Sequence, residues 1–187
     1  MTTINVSQLP VDPGPAAWNC LLPDAAPARR VQGDIKADWI VIGAGFAGLA
    51  AARRLSQLRP SDRIVVLEAS RVAQGPAGRN SGFMIDLPHD LASSDYGGAL
   101  QKDVVLTADN RHAIAFAAQM AADFGLGRDV FSRCGKINAA ATEKGDRHNR
   151  DYARHLERMG EPARMLDAAQ MRKLTGIGYY KSGLFTA

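Results

Sequence analysis

Three glycines, Gly43, Gly45 and Gly48, stand between a short apolar run and a helical pattern in "DWIVIGAGFAGLAAARRL". An acid, Glu68, follows 68 − 48 = 20 residues after the last of them. This is a GxGxxG arrangement, and each glycine has its own physical task. The first permits a tight turn, the second lets backbone approach a pyrophosphate, and the third lets helix and strand pack closely. The helix that opens here presents free N–H groups, those of Phe46 and Ala47, and the positive end of its dipole to phosphate oxygens. Glu68, with Ala69 beside it, is assigned to the adenosine end, where a carboxylate accepts hydrogen bonds from ribose hydroxyls and repels a 2′-phosphate. GxGxxG alone is a weak signal, and glycines that merely turn the chain are the alternative. A strand before, a helix after and the acid at this distance favour dinucleotide binding.

A second glycine-rich stretch, Gly75 to Phe83 ("GPAGRNSGF"), begins 75 − 68 = 7 residues after Glu68. It brings several backbone N–H groups, the Arg79 guanidinium and the Asn80 amide toward the same site. Motif spacing by itself leaves NAD and FAD both open.

These residues need elements to position them. Trp39–Ile42 is short, apolar and β-branched, as a buried strand should be. Ala47–Leu58 has Ala51, Leu55 and Leu58 on one helical face, and Pro60 stops it. Arg63–Leu67 ("RIVVL") is a second buried strand. A strand–helix–strand unit of about 30 residues joins parallel strands. The expected class is α/β, built on a Rossmann-like unit, with α+β character further on.

The flanks divide the chain into an N-terminal arm (1–37), the nucleotide-binding portion (38–100) and a third part (101–187). The arm is proline-rich and resists both helix and central strand. Trp18, Leu21 and Leu22 give it apolar groups with which to pack. The stretch "MIDLPHDLASSDYGG" is expected to be irregular. A long helix is expected from Gln101 to Phe124, with Ile114, Ala117, Ala121 and Phe124 on its apolar face. Val130–Thr142 is expected to be a strand, and Glu143–Met159 a polar helix with Tyr152, Leu156 and Met159 inward. A short strand is expected over Pro162–Leu166. Asp167 and Gln170 have capping-box form at the start of one more helix.

Composition narrows the classes. Of 187 residues, 46% are hydrophobic and 22% charged, which is globular composition. The net charge of +4 is spread among acids, as in Glu143–Asp151, and forms no one-sign patch for nucleic acid. Two cysteines, Cys20 and Cys134, have no metal spacing and imply no disulfide framework. No signal peptide or transmembrane run is visible, so a cytoplasmic protein without bound metal is expected. Cys134 reads as a small apolar residue in a strand. His89 is a candidate lining residue, with a loop histidine satisfied by backbone as its alternative. His112, His148 and His155 fall on expected helices as surface or core residues. Tyr179 and Tyr180 read as packing groups.

Taken together, the GxGxxG, the acid and the second loop resemble the FAD-dependent amine and amino-acid oxidoreductases of the D-amino-acid oxidase superfamily. Members such as glycine oxidase, sarcosine oxidase and gamma-glutamylputrescine oxidase carry a "GASGRNGG"-like loop. Gly75, Gly78, Arg79, Asn80 and Gly82 match it, whereas Pro76-Ala77 stands for Ala-Ser and Ser81 for a glycine. "YYKSGLFTA" at the end is similar to a further family segment, Y-x-x-GLF-x-P. The resemblance implies FAD as cofactor. It implies that Arg79, Asn80, Ser81 and Gly82 touch its pyrophosphate–ribityl–flavin stretch. The loop lacks the histidine to which some relatives tether flavin, so binding is expected to be noncovalent. The implied activity is an amine or amino-acid oxidase or dehydrogenase, acting by hydride transfer to flavin and hydrolysis of the resulting imine, with no catalytic residue assigned. In relatives the last segment leads into the rest of the substrate sheet. The resemblance therefore implies that a second polypeptide, from a split gene or a cleaved precursor, carries the other half, including most contacts to the small amine or amino-acid substrate; a truncated sequence is the alternative to that second chain. A noncatalytic dinucleotide-binding or assembly subunit is the alternative. A fragment of an NAD-dependent dehydrogenase is a third reading, against which the "GRNSG" loop argues.

Overall fold

The computed structural model describes residues 14–22, 27, 29–88 and 99–187. The chain forms two compact units, Met1–Phe83 and Met84–Ala187.

In the first unit, the proline-free part of the arm makes a single helical turn, α1 (Ala17–Cys20). Strand β1 (Trp39–Ile42), helix α2 (Phe46–Leu58) and strand β2 (Ile64–Leu67) follow at nearly the expected bounds. β1 and β2 are parallel, with Trp39 opposite Ile64 and Ile42 opposite Leu67. The loop after β2 contains one 3-10 turn at Pro76–Gly78.

This unit has very little interior. Its fully buried apolar side chains, among the described residues, are Ala16 and Ala44. Helix α2 buries none of its residues, and Leu58, expected on its inner face, is exposed. Ile42 is 86% exposed, although the sequence reads β1 as a buried strand. A two-stranded sheet is at best marginally stable by itself. The hydrophobic pattern of β1, β2 and α2 thus exceeds what the described residues of this unit bury.

The second unit is better packed. Helix α3 (Leu100–Asp123) is followed by β3 (Lys136–Ala140), α4 (Glu143–Met159), β4 (Ala163–Asp167), α5 (Ala168–Thr175) and β5 (Ser182–Thr186). The strands form an antiparallel sheet in the order β3-β5-β4, with Ile137 opposite Phe185 and Met165 opposite Leu184. Tyr152 and Leu156 of α4 meet Leu184 of β5 and Leu87 in a buried cluster, flanked by Met159 and Met165. Leu87 draws its segment into this unit, which begins at Met84 rather than near residue 101.

Helix ends follow their local chemistry. The Thr142 hydroxyl accepts from Gly145 N–H at 3.1 Å, and Gly160 closes α4 with φ 77°. Asp167 and Gln170 complete the capping box at 2.8 and 2.9 Å. A buried bridge ties α3 to α4. His155 Nε2 lies 2.8 Å from Asp103 Oδ2, and His155 Nδ1 lies 3.2 Å from an Arg158 nitrogen. A guanidinium can only donate, so Nδ1 accepts and Nε2–H donates to the carboxylate.

Several expectations require correction. The strand expected over Val130–Thr142 is confined to Lys136–Ala140, because a turn begins at Gly127, where Val130 and Phe131 N–H both donate to its carbonyl. Cys134 lies in the loop before β3 and is exposed. Phe124 caps the C-terminus of α3 instead of facing a core, and is 71% exposed. Leu21 and Leu22 are exposed, so Trp18 is the large arm residue that makes contact.

Candidate functional site

The glycine turn joins β1 to α2 through three residues in different local circumstances. Gly43 has φ 97°, a left-handed conformation that favours glycine, and its N–H donates to Leu67 O at 2.7 Å. A Cβ on Gly48 would stand 1.9 Å from Gly43 O and 3.4 Å from Val41 Cγ1, so only glycine lets α2 approach β1. Gly45 is different. Its φ of −85° and ψ of −172° suit any residue, and no heavy atom lies within 4 Å of where a Cβ would be. Nothing in the described protein demands glycine at 45, and the space beside it is open. Gly45 is also the N-cap of α2 and offers no side-chain cap, so the first-turn N–H groups of Phe46 and Ala47 have no intrahelical partner. Open space, unsatisfied donors and a helix dipole together fit a pyrophosphate.

Glu68 reaches back across the end of the sheet. Its Oε2 accepts from Ala44 N–H at 2.8 Å and its Oε1 from Ser70 N–H at 3.1 Å. These two bonds, that from Ala44 first, hold its carboxyl below the usual glutamate range. A carboxylate can accept about four hydrogen bonds, so this one keeps capacity for ribose hydroxyls while bracing the glycine turn. Ala69 is exposed beside it.

The second loop is keyed to the first. Ala73 N–H donates to Ala44 O at 3.1 Å, and Ala73 itself has φ 57°, rare for a residue with a Cβ. Arg79 Nε donates to Gln74 O at 3.1 Å, and the same guanidinium donates to Gly14 O. Asn80 shapes its own loop: Nδ2 donates to Ala77 O at 2.6 Å, and Oδ1 accepts from Gly82 N–H at 2.7 Å. Ser81 and Gly82 are exposed, and Gly82 has φ 78° with the Trp18 ring beside it. The turn (Gly43, Gly45, Phe46, Ala47, Gly48), Glu68 and the loop (Arg79, Asn80, Ser81, Gly82) thus belong to one connected cluster joined through Ala44 and Ala73. Sequence reasoning missed Ala44, Ala73 and Gly14, and read Trp18 as a packing group without placing it at this loop. The only available signal was a tryptophan within a proline-rich arm.

Other candidates are placed elsewhere. His89 lies outside the described residues. His112 is exposed, and His155 is buried in the bridge to Asp103. Tyr179 and Tyr180 pack edge to face, 5.3 Å apart. A polar cleft of about 350 Å³ in the second unit includes Glu143, Asp146, Arg150, Lys181 and Ser182. Its polar groups are already engaged: Arg150 pairs with Asp146 at 2.9 Å, Lys181 with Glu143, Ser182 donates to Asp146 at 2.5 Å, and Asp167, which also lines it, caps α5. Among the described residues no group of three His, Cys, Asp or Glu side chains is placed to hold a metal ion. No helix among them is long and apolar enough to cross a membrane.

Comparison with known proteins bears on the fold and the family. The fold is similar to that of glycine oxidase from Geobacillus kaustophilus, with a TM-score of 0.59 at 18% identity over 80% of this chain and 39% of that one. It is also similar to the L-amino acid deaminase of Proteus myxofaciens, with a TM-score of 0.54 at 16% identity over 87% and 35% of the two chains. In sequence, 61 residues are 38% identical to gamma-glutamylputrescine oxidoreductase of Escherichia coli (strain K12), covering 33% of this chain and 14% of that protein. A further 33% identity over 75 residues, 40% of this chain and 17% of its relative, links it to "Probable oxidoreductase OrdL" of Rhizobium meliloti (strain 1021). The chain therefore corresponds to well under half the length of these relatives. The profile of the family described as "DAO: FAD dependent oxidoreductase" matches residues 38–187, and this chain belongs to that FAD-dependent family.

Proposed function

We propose that this chain is the FAD-binding part of an enzyme that oxidises an amine or amino acid, and that a second polypeptide completes it. The glycine turn carries the cofactor reading, with open space beside Gly45 and the Glu68 carboxylate seated on Ala44 N–H. Phe46 and Ala47 N–H groups bind the pyrophosphate, and Glu68 with Ala69 orients the adenosine ribose. The loop from Arg79 to Gly82 follows the chain toward the flavin. The loop lacks the histidine that would tether a flavin, which supports noncovalent binding.

Bound FAD supplies a two-electron acceptor for the hydride of the C–H bond beside a neutral amine nitrogen. The substrate would leave as an imine and a proton, water would hydrolyse the imine to a carbonyl compound and ammonia or an amine, and the two electrons would pass on to oxygen or another acceptor. The residues of this chain fix the cofactor; substrate contacts come mainly from the complementary chain. The near absence of a core in the first unit supports that partner, because exposed Ile40, Ile42, Phe46 and Val66 would otherwise face water. The free, exposed thiols of Cys20 and Cys134 suit a reducing cytoplasm.

The test is purification under native conditions with intact-mass analysis and a visible spectrum, followed by an amine and amino-acid screen. The expected result is a yellow complex of two different chains, absorbing near about 450 nm and bleached by one class of amine. A colourless single species that takes up no added FAD overturns the reading. A yellow complex reduced by no amine leaves only the noncatalytic cofactor subunit.

A further inference from the structure

The cofactor loop is held from outside the family's own boundaries. The family match begins at residue 38, yet Ala16 of the arm is one of the two fully buried apolar side chains among the described residues of the first unit. Ala16 is completely buried, and its Cβ lies where a Cβ on Gly78 would come within 2.8 Å. Trp18 Nε1–H donates to Asn80 O at 2.7 Å. The Trp18 ring lies against Gly82, 3.0 Å from where a Cβ would stand. Asn19 Nδ2 donates to Gln74 Oε1 at 3.1 Å, and Gln74 Nε2 in turn donates to Gly14 O at 2.8 Å. Gly14 O also receives the Arg79 guanidinium.

Each contact falls on the loop rather than on the sheet. The loop is consequently gripped from two sides. Ala44 of the phosphate turn holds Ala73 on one side, and Gly14, Ala16 and Trp18 hold Arg79, Gly78 and Asn80 on the other. The loop's own hydrogen bonds are short-range, from Gly78 N–H to Gly75 O and from Arg79 N–H to Pro76 O at 3.1 Å. A loop with only local bonds has many conformations of similar energy, and an external clamp selects among them.

We propose that residues 14–20 of the arm are a positioning element for the cofactor, with Trp18 the principal residue. The arm sets the conformation in which Arg79–Gly82 meet FAD, so that cofactor affinity depends on a segment that touches the loop and need not touch the cofactor. This rests on the reading that the loop binds FAD.

The experiment compares the full 187-residue chain with Trp18→Ala, Trp18→Phe and a variant lacking residues 1–22. Amide hydrogen exchange is measured first, without FAD. Trp18→Ala and the deletion are expected to raise exchange at Gly78, Arg79 and Gly82 by about tenfold, while residues 100–187 exchange as before. FAD affinity is measured second, by flavin fluorescence. Trp18→Phe keeps an aromatic side chain but loses the N–H and the outer indole ring beside Gly82, and is expected to weaken binding at least about fivefold, the worth of the hydrogen bond alone. Trp18→Ala is expected to weaken it by more than about tenfold. Unchanged loop exchange in Trp18→Ala overturns the proposal. Faster exchange with unchanged FAD affinity overturns its cofactor role and leaves a purely structural arm. A wild-type chain that binds no FAD defeats the reading on which this rests, whereas the exchange comparison still decides whether the arm holds the loop.

Discussion

Gly45 and Gly48 lie three residues apart, and their replacement by alanine is expected to fail in opposite ways. At Gly48 the new Cβ meets backbone. It would stand 1.9 Å from Gly43 O where 3.0 Å is the practical limit, a deficit of 3.0 − 1.9 = 1.1 Å. A carbonyl in a turn cannot rotate away like a side chain, so α2 must shift along β1. Overpacking of this kind costs about 3 kcal/mol at its upper end, and the better helix propensity of alanine returns about 1 kcal/mol, leaving about 2 kcal/mol. At Gly45 the new Cβ meets nothing within 4 Å, and φ is already negative. The cost there is that of a poorer N-cap, about 0.5 kcal/mol. The ligand's loss is reversed in weight, because a methyl at 45 fills the space assigned to the pyrophosphate. Gly45→Ala is expected to lose at least about 1.4 kcal/mol of FAD affinity, a factor of ten. Urea unfolding of the cofactor-free chain followed by circular dichroism gives the first quantity, and flavin fluorescence titration gives the second. If Gly45→Ala unfolds as readily as Gly48→Ala yet binds FAD normally, the space beside Gly45 is not the phosphate site.

Further outcomes can be checked on the same material. Glu68 has its carboxyl lowered by the N–H groups of Ala44 and Ser70, so the stability it contributes is full above the ordinary glutamate value and is lost as pH falls through the lowered one. Thermal melts of the first unit should therefore vary little with Glu68 ionisation from neutral pH down to about 4.3, and Glu68→Gln should remove the decline below that. Arg111→Ala breaks a bidentate pair with Glu161 at 2.6 and 2.8 Å and a bond to Asp86 at 2.9 Å. The Arg111 side chain is half exposed, so about 0.5–1 kcal/mol is expected, shrinking with added salt in urea titrations. Leu156→Ala empties the centre of the second unit and should cost about 2–5 kcal/mol, read as lost protection in hydrogen exchange over α4 and β5. Asp103→Ala leaves the buried His155 Nε2–H without its acceptor, at a cost of about 1–3 kcal/mol measured by the same urea titration.

The strand–helix–strand unit and the polar helix were legible because each carries a local signal: β-branched runs, a helical period and glycines with assigned tasks, with Asp167 as the cap of the helix that follows; the Thr142 cap of α4 was read only as the end of a strand. The site was legible where a residue's type is dictated by backbone geometry, as at Gly43 and Gly48. Burial was read less well, because Ile42 and Leu58 have core character in sequence yet lie exposed in the described structure. Their pattern encodes neighbours, and pattern cannot say where those neighbours come from. Cys134 and Phe124 were misplaced for a related reason: apolar character near an element's end says nothing of which side of the boundary the residue falls. The grip of Trp18 on Asn80 joins residues 62 apart, a long-range pairing that no local period reports.

The order β3-β5-β4 has a consequence for how the second unit comes into being. The strand made last is the one in the middle. Lys136 finds its partner, Thr186, only 186 − 136 = 50 residues later, and β3 and β4 never pair with each other. During synthesis the first two strands wait with open edges while α4 and α5 form between and beyond them. Such non-local closure is slow, and the waiting edges are sticky. A chain interrupted anywhere before Ser182 loses the whole sheet rather than one strand of it.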